Sequence, residues 1–233
     1  MKTKTKILFL FFNLLTLSLF AQEPTITKTW NDFQQLEHTR PQGNRHFLTE
    51  ADIKGSPYLS KEFQTGYVLT GKNVRYTGVP LRYNIYTDEI EFKNADGQAL
   101  AIDFPGNIKE VKIGHDIFIY RLYQADKNLL KAGYFRLLNR GKAQGLVKYR
   151  MVFREAEPAA AYKDPQPPKF ERKPPAFYVS LNKKPAIPVR NLKSLLNVLK
   201  DHKKALVSFV HEQKIKIRRE GDLKRLLVYY NTL

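Results

Sequence analysis

The sequence predicts a mainly β, α+β fold: an antiparallel β-meander of about seven or eight strands followed by a C-terminal helical hairpin. Between residues 63 and 153, short runs of β-branched and aromatic residues are punctuated by Gly, Asn, Asp and Pro, which is typical of consecutive strands. The connections are short, and this favours antiparallel neighbours because parallel strands need long crossovers. After residue 190, leucines recur at helical spacing. We therefore expect a curled sheet or half-barrel with helices at its end.

Residues 1–21 have the pattern of a secretory signal peptide. Lys2, Lys4 and Lys6 precede an apolar run over residues 7–20, and Ala21 is a small residue at the expected cleavage point. The run is shorter than the roughly 20 apolar residues that span a membrane, and no later run is long enough. We expect an exported chain, periplasmic or secreted, whose mature part from residue 22 onward has no transmembrane helix.

The mature chain begins with a polar segment, residues 22–55, in which a short amphipathic helix is expected near 29–38. The β-meander domain is expected over residues 56–156. There, apolar residues alternate with polar ones from Val79 to Ile85, but Ile90 and Phe92 fall on the opposite parity. A bulge or tight turn at Thr87-Asp88 must therefore separate two strands.

A proline-rich linker is expected over residues 157–176, either as a spacer across the sheet or as a ligand for a partner domain. Its six prolines are Pro158, Pro165, Pro167, Pro168, Pro174 and Pro175. The last unit, residues 177–233, is expected to hold a short strand and the basic helical hairpin. We expect one helix over 191–212 and a second over 222–231, with Asp222 as its N-cap.

The composition limits the possible chemistry. The chain has no cysteine, which excludes disulfides, thiol catalysis and cysteine-ligated zinc. Its five histidines form no metal-binding pair, and no nucleophile or phosphate-binding motif occurs, so we expect no enzyme, no metal and no cofactor. The acidic residues Asp88, Glu89 and Glu91 are expected to form a solvated face.

The charge is strongly positive, with 40 Lys+Arg against 22 Asp+Glu. Residues 157–233 contribute 17 basic and 7 acidic residues to this balance. A basic surface attracts polyanions. For an exported protein these would be anionic lipids, acidic glycans or acidic faces of envelope proteins, and nucleic acid is not expected. Excess lysine can also serve solubility alone.

The first candidate contact for an anion or partner is the basic run Lys214, Lys216, Arg218 and Arg219 between the two expected helices. The intervening isoleucines point the other way, so the cations share one side. A second candidate is a sheet face that carries Arg82, Lys148 and Arg150. Arginine is enriched in interfaces, but cross-strand packing explains these three residues equally well.

Several segments resemble a family of uncharacterised exported proteins from Bacteroidota. They are Gly55-Ser-Pro-Tyr-Leu59, Gly78-Val-Pro-Leu-Arg-Tyr-Asn-Ile-Tyr86 with Glu91-Phe92, Gly133-Tyr-Phe135, Leu227-Val-Tyr-Tyr-Asn231 and the Phe-Ala-Gln at residues 20–22. The likeness spans most of the mature chain. It implies export and a similar architecture. The family has no established activity, so the resemblance transfers no functional residues.

Two main functions remain open. The first is a non-enzymatic cell-envelope binding or interaction protein that uses the basic C-terminal region. The alternative is a periplasmic carrier that holds an apolar, lipid-like ligand in the curled sheet, with the helices as a lid. A hydrolase is a distant third.

Overall fold

The structure, a computed structural model, describes residues 25–29, 33, 53–127, 129–158 and 164–233. The expected signal peptide and most of the expected helix near 29–38 lie outside the described residues. Within them, the expected fold class is confirmed: an open, mainly antiparallel sheet with helices at the C-terminal end. Phe33, from the expected N-terminal helix, is buried against Tyr76 and Phe92 in the core of the sheet.

Eleven strands form the sheet in the described part of the chain, rather than about seven or eight. Three of them (β1, β5 and β11) have two or three residues, too few for a readable pattern. The strands are β1 (Ile26–Lys28), β2 (Gln64–Thr70), β3 (Val74–Asn84), β4 (Glu89–Lys93), β5 (Ala99–Ala101), β6 (Ile108–Ile113), β7 (Asp116–Asp126), β8 (Leu129–Leu137), β9 (Ala143–Arg154), β10 (Lys169–Leu181) and β11 (Ile187–Pro188). The helices are α1 (Leu192–Val198), α2 (Lys203–Glu212) and α3 (Glu220–Tyr230).

The strand order is β5-β4-β3-β2-β6-β7-β8-β9-β10-β11, with β1 parallel to β3. From β2 onward, each strand pairs with the next except at one point, where β6 returns to pair with β2 instead of β5. The pairing of β6 with β2 breaks the expected order of a simple meander, in which every strand pairs with the next. Ile102, just after β5, shares one core with Val68 of β2 and Val111 of β6. The sheet therefore curls, and a short loop can cross from its edge to its middle.

The sheet forks between β8 and β9. These strands pair only at Arg136↔Val147 and Leu137↔Leu146, although β8 stays paired with β7 and β9 with β10. The turn between β3 and β4 fills the fork, with Asp88 in the left-handed conformation (φ 59) that the expected tight turn requires. Lys148 Nζ reaches Asp88 Oδ2 there at 2.5 Å.

The expectation of a proline-rich linker over residues 157–176 is wrong for its C-terminal part. β10 begins at Lys169, so residues 169–176 extend the strand that was expected only from 177. Pro174 and Pro175 lie where the β9–β10 register shifts, between Lys173 and Ala176. A bulge tolerates proline because the ladder hydrogen bonds are already interrupted there.

The single helix expected over 191–212 is two helices, α1 and α2, so the C-terminal end has three helices rather than a hairpin. Asn191 caps α1 through a reciprocal capping box with Ser194. Helix α1 ends at Val198, with Leu199 as its C-cap. The turn that follows is held by the Asp201 side chain, which accepts hydrogen bonds from Tyr230 Oη at 2.7 Å and from Lys142 Nζ at 3.0 Å.

The expected N-cap of α3 is wrong: the helix begins at Glu220, so Asp222 lies inside its first turn. The helices pack on Val147 and Val179 of the sheet.

Candidate anion-binding site

The basic run lies in the loop between α2 and α3, and two isoleucines fix its conformation. Ile215 and Ile217 are buried in the core beneath the helices, while Lys214, Lys216 and Arg218 are exposed. This confirms that the isoleucines point away from the cations. The Ile215 amide donates to Val210 O at 3.0 Å, and the Lys216 amide donates to Asp222 Oδ2 at 3.0 Å. The loop is therefore held on both sides of its charges.

A shallow groove of about 390 Å³ lies between this loop and the start of α1. Its cationic lining is Lys216, Arg218, Arg219 and Arg190, and its apolar lining includes Leu192 and Ile217. Arg218 Nε donates to the Arg190 carbonyl at 3.4 Å, which joins the two sides. The surface of the groove is thus mainly apolar, and four of the residues that line it are basic.

The four cations have no counter-ion of their own in the part of the chain that the structure describes. Among the described residues, none of Arg190, Lys216, Arg218 and Arg219 forms an ion pair. The two nearest carboxylates along the chain pair with other cations: Glu220 with Arg136, and Asp222, which also accepts from the Lys216 amide, with Arg225 at 3.3 Å. The four basic side chains of the groove therefore have no direct ion pair within the described chain, although the Asp222 carboxylate contacts the backbone of the loop.

The sequence identified three of the four cations and missed Arg190. Lys214 belongs to the same loop but does not line the groove. Arg190 precedes the α1 cap, distant in sequence from the basic run, and only the packing of the helices brings it there. Its position beside a helix cap is the one local signal in the sequence, and that signal does not indicate a ligand.

The second group of candidate residues, Arg82, Lys148 and Arg150, lies on the sheet, away from the groove, and its side chains bind other groups of the protein. Arg82 Nε donates to Glu91 at 2.7 Å, and its guanidinium lies 3.6 Å from the ring centroid of Tyr58. Lys148 is buried in the fork, and Arg150 donates to Pro174 O at 2.8 Å. The structure therefore does not unite Arg82, Lys148 and Arg150 into one exposed anion-binding face.

The expectation of a solvated acidic face is wrong for Asp88 and Glu91, whereas Glu89 is half-exposed. Glu91 is fully buried beneath Arg82 and also accepts from Asn84 Nδ2 at 3.1 Å. Asp88 accepts from Tyr83 Oη at 2.6 Å, besides its pairing with Lys148. Burial lowers the pKa of the Lys148 ammonium, and the charge of Asp88 opposes that shift. These acids and bases hold the fold together.

The interior of the curled sheet is packed with aromatic and aliphatic side chains, including Tyr83, Phe92 and Phe118. A recess of about 220 Å³ opens beside them and is lined partly by Glu62, Arg82 and other polar residues. This volume lies below the roughly 300–1,000 Å³ of typical ligand pockets. The carrier hypothesis stays a prediction, and this recess does not favour it.

Comparison of the chain with models of protein families, with curated proteins and with solved structures finds no match. The resemblance to exported Bacteroidota proteins therefore stays a prediction. Across the described ranges, no helix has the length and apolarity needed to cross a membrane. In the same ranges, no three His, Asp or Glu side chains come together in a way that could hold a metal ion.

Proposed function

We propose that this chain is a non-enzymatic, exported binding protein that holds an anionic partner of the cell envelope in the basic groove. The observation that carries the proposal is the set of four cations, Arg190, Lys216, Arg218 and Arg219, around one groove without ion pairs among the described residues. Like charges held close together repel one another, and a bound anion relieves that repulsion.

The chemistry of the groove favours an anion with several oxygen atoms. Three of the four cations are arginines, and the guanidinium fork matches carboxylate, sulfate and phosphate through paired hydrogen bonds. Ile215 and Ile217 anchor the loop, so less conformational entropy is lost when a ligand binds. An acidic glycan or an acidic face of an envelope protein has this chemistry.

Heparin serves as a probe because it carries both sulfate and carboxylate groups. The test compares the NaCl concentration at which immobilised heparin releases three proteins: wild type, Arg218→Ser/Arg219→Ser, and Lys203→Ser/Lys204→Ser. Lys203 and Lys204 are exposed on α2 and have no ion pair among the described residues, so both double variants lose the same charge.

The groove variant, Arg218→Ser/Arg219→Ser, should elute at a clearly lower NaCl concentration than the wild type. The decrease should be at least about twice that of the α2 variant, Lys203→Ser/Lys204→Ser. Circular dichroism and thermal unfolding would show that both variants are folded. Equal shifts for the two variants would show that heparin senses only net charge, and that result would overturn the proposal.

A further inference from the structure

The tip of the β7–β8 hairpin carries exposed apolar side chains. Leu122 is 52% exposed and Leu130 is 56% exposed, and Ala132, opposite Leu122, is exposed as well. Ile187 of β11 is 38% exposed. Single exposed leucines are ordinary on protein surfaces, so the argument depends on whether these residues form one patch.

The strand register places them on one face. Tyr123 of β7 bridges Ala186, and both side chains pack with Phe135 on one face of the sheet. Because side chains alternate along a strand, Leu122 and Ile187 lie on the opposite face, the face that carries Phe118 and Tyr120 further along β7. Leu130 pairs with Gln124, so it is the diagonal neighbour of Leu122 on that same side.

Backbone hydrogen bonds hold the two parts of this face together. The Gln124 amide donates to Ala186 O at 2.9 Å, and the Ala186 amide donates to Leu122 O at 2.8 Å. The hairpin tip and the segment before β11 are therefore adjacent. We call this surface the apolar tip: Leu122, Leu130, Ala132 and Ile187.

Cations lie in the turns next to the apolar tip. Exposed lysines occur in the hairpin turn and in the turn between β10 and β11, namely Lys127, Lys183 and Lys184, and no ion pair involves them among the described residues. Lys131 is also exposed, but it pairs with Tyr123, so its side chain leaves the opposite face of the hairpin. Asp126 is the only acidic residue of the hairpin tip, and it accepts a hydrogen bond from the Lys127 amide. The turns next to the tip therefore carry an excess of positive charge.

We propose that the apolar tip docks on an anionic lipid surface. Leucine and isoleucine side chains gain free energy in the headgroup–acyl boundary, while flanking lysines contact lipid phosphates. A second copy of this chain fits less well, because a two-fold contact would place the lysine groups against each other. This surface is separate from the basic groove, so the inference does not depend on the proposed function.

The chain has no cysteine, so a single introduced thiol can report the position of the tip. Leu130→Cys and the control Val207→Cys, an exposed aliphatic position on α2, are each labelled with an environment-sensitive fluorophore. The mature protein is mixed with vesicles of phosphatidylcholine alone or with phosphatidylglycerol added. We expect a blue shift for the Leu130→Cys label with the anionic vesicles and no shift for the Val207→Cys label.

A second measurement uses co-sedimentation with the same vesicles. Leu122→Ser/Leu130→Ser should weaken binding to anionic vesicles about tenfold, whereas Val207→Ser/Val228→Ser removes as many exposed aliphatic side chains elsewhere and should leave binding unchanged. Absence of wild-type binding would overturn the inference, and so would equal effects of the two variants. A blue shift that grows with protein concentration without vesicles would reveal a second copy as the occupant and would also overturn it.

The groove variant Arg218→Ser/Arg219→Ser separates the two proposals. If it loses vesicle binding while the leucine variant keeps it, the lipid inference fails and the groove remains an anion site. If the leucine variant alone loses vesicle binding, the lipid inference holds, whatever the heparin result.

Discussion

Lys148 Nζ lies 2.5 Å from Asp88 Oδ2, and this ion pair fills the fork between β8 and β9. The pair also replaces part of the missing strand ladder. The Tyr134 amide donates to Asp88 Oδ1 at 3.3 Å, and Lys148 Nζ donates to the Tyr134 carbonyl at 3.0 Å. These backbone groups of β8 would otherwise need a partner on β9, since buried N–H and C=O groups are costly when unpaired.

Replacing Lys148 with methionine should therefore destabilise the protein strongly. The substitution keeps an unbranched side chain, one atom shorter than lysine, but leaves the carboxylate of Asp88 without its cation and Tyr134 O without its donor. We expect a loss of about 3 kcal/mol in the free energy of unfolding, measured by urea denaturation. Arg150→Met on the same strand, which removes an exposed contact to Pro174, should cost less than about 1 kcal/mol.

Gly133→Ala should destabilise the same fork for a steric reason. A Cβ at this position would lie 2.3 Å from Asp88 Oδ2 and 2.5 Å from Lys148 Nζ, so it would force the pair apart. We expect a loss of about 1–3 kcal/mol in thermal or urea unfolding. Gly106→Ala serves as a control because a Cβ there meets nothing within 4 Å. Equal stability of both variants would show that the fork tolerates expansion.

The stability should fall as the pH rises above 10, partly because of Tyr83. Burial and the neighbouring Asp88 raise the pKa of Tyr83 well above 10. An unfolded tyrosine loses its proton near pH 10, so above that pH the folded state binds more protons and unfolding becomes easier. One such group lowers the free energy of unfolding by about 1.4 kcal/mol per pH unit until it ionises in the folded state.

Urea denaturation of wild type and Tyr83→Phe at several pH values between 8 and 11 isolates this contribution. The variant loses the hydrogen bond to Asp88 and should be less stable at pH 8. Its stability should then fall less steeply above pH 10 than that of the wild type. Parallel curves for the two proteins would mean that Tyr83 ionises normally in the folded state.

Asn231 should contribute strongly to the docking of α3. Its side chain accepts from the Ala143 amide at 2.8 Å and donates to the Ala143 carbonyl at 3.0 Å, so it caps the start of β9. Asn231→Ala removes these two bonds and a third, from Asn231 Nδ2 to the Arg140 carbonyl at 3.2 Å, and should cost about 1–3 kcal/mol in thermal unfolding. Thr232→Ala, which removes one exposed local hydrogen bond, should change stability by less than about 0.5 kcal/mol. This contact gives a structural role to the final Asn of the Tyr-Tyr-Asn sequence.

The sequence predicted the elements better than their connections. The parity change between Ile85 and Ile90 correctly located the turn at Asp88, because side-chain alternation is a local property of strands. The return of β6 to β2 and the fork at β8 depend on how the sheet curls, and no local pattern encodes that curl. For the same reason Asp88 and Glu91 were expected in solvent: their partners, Lys148 and Arg82, lie on other strands.

At the candidate site, too, the sequence predicts local features but not contacts between distant elements. The alternation of Ile215 and Ile217 with cations was readable, and burial of both isoleucines confirms it. The contribution of Arg190 was not readable because it comes from the contact between the α1 cap and the loop before α3. Lys148 resembled an interface residue in sequence, but its role is to pair with Asp88 inside the fold.

The central claim, that the basic groove holds an anion, is tested most directly by amide chemical-shift mapping with a short heparin oligosaccharide. We predict that the largest shifts occur at residues 190–192 and 214–219, and that they weaken as salt is raised. Shifts concentrated on another basic part of the chain, such as residues 203–204 of α2, would contradict the claim, and so would shifts spread evenly over the surface lysines.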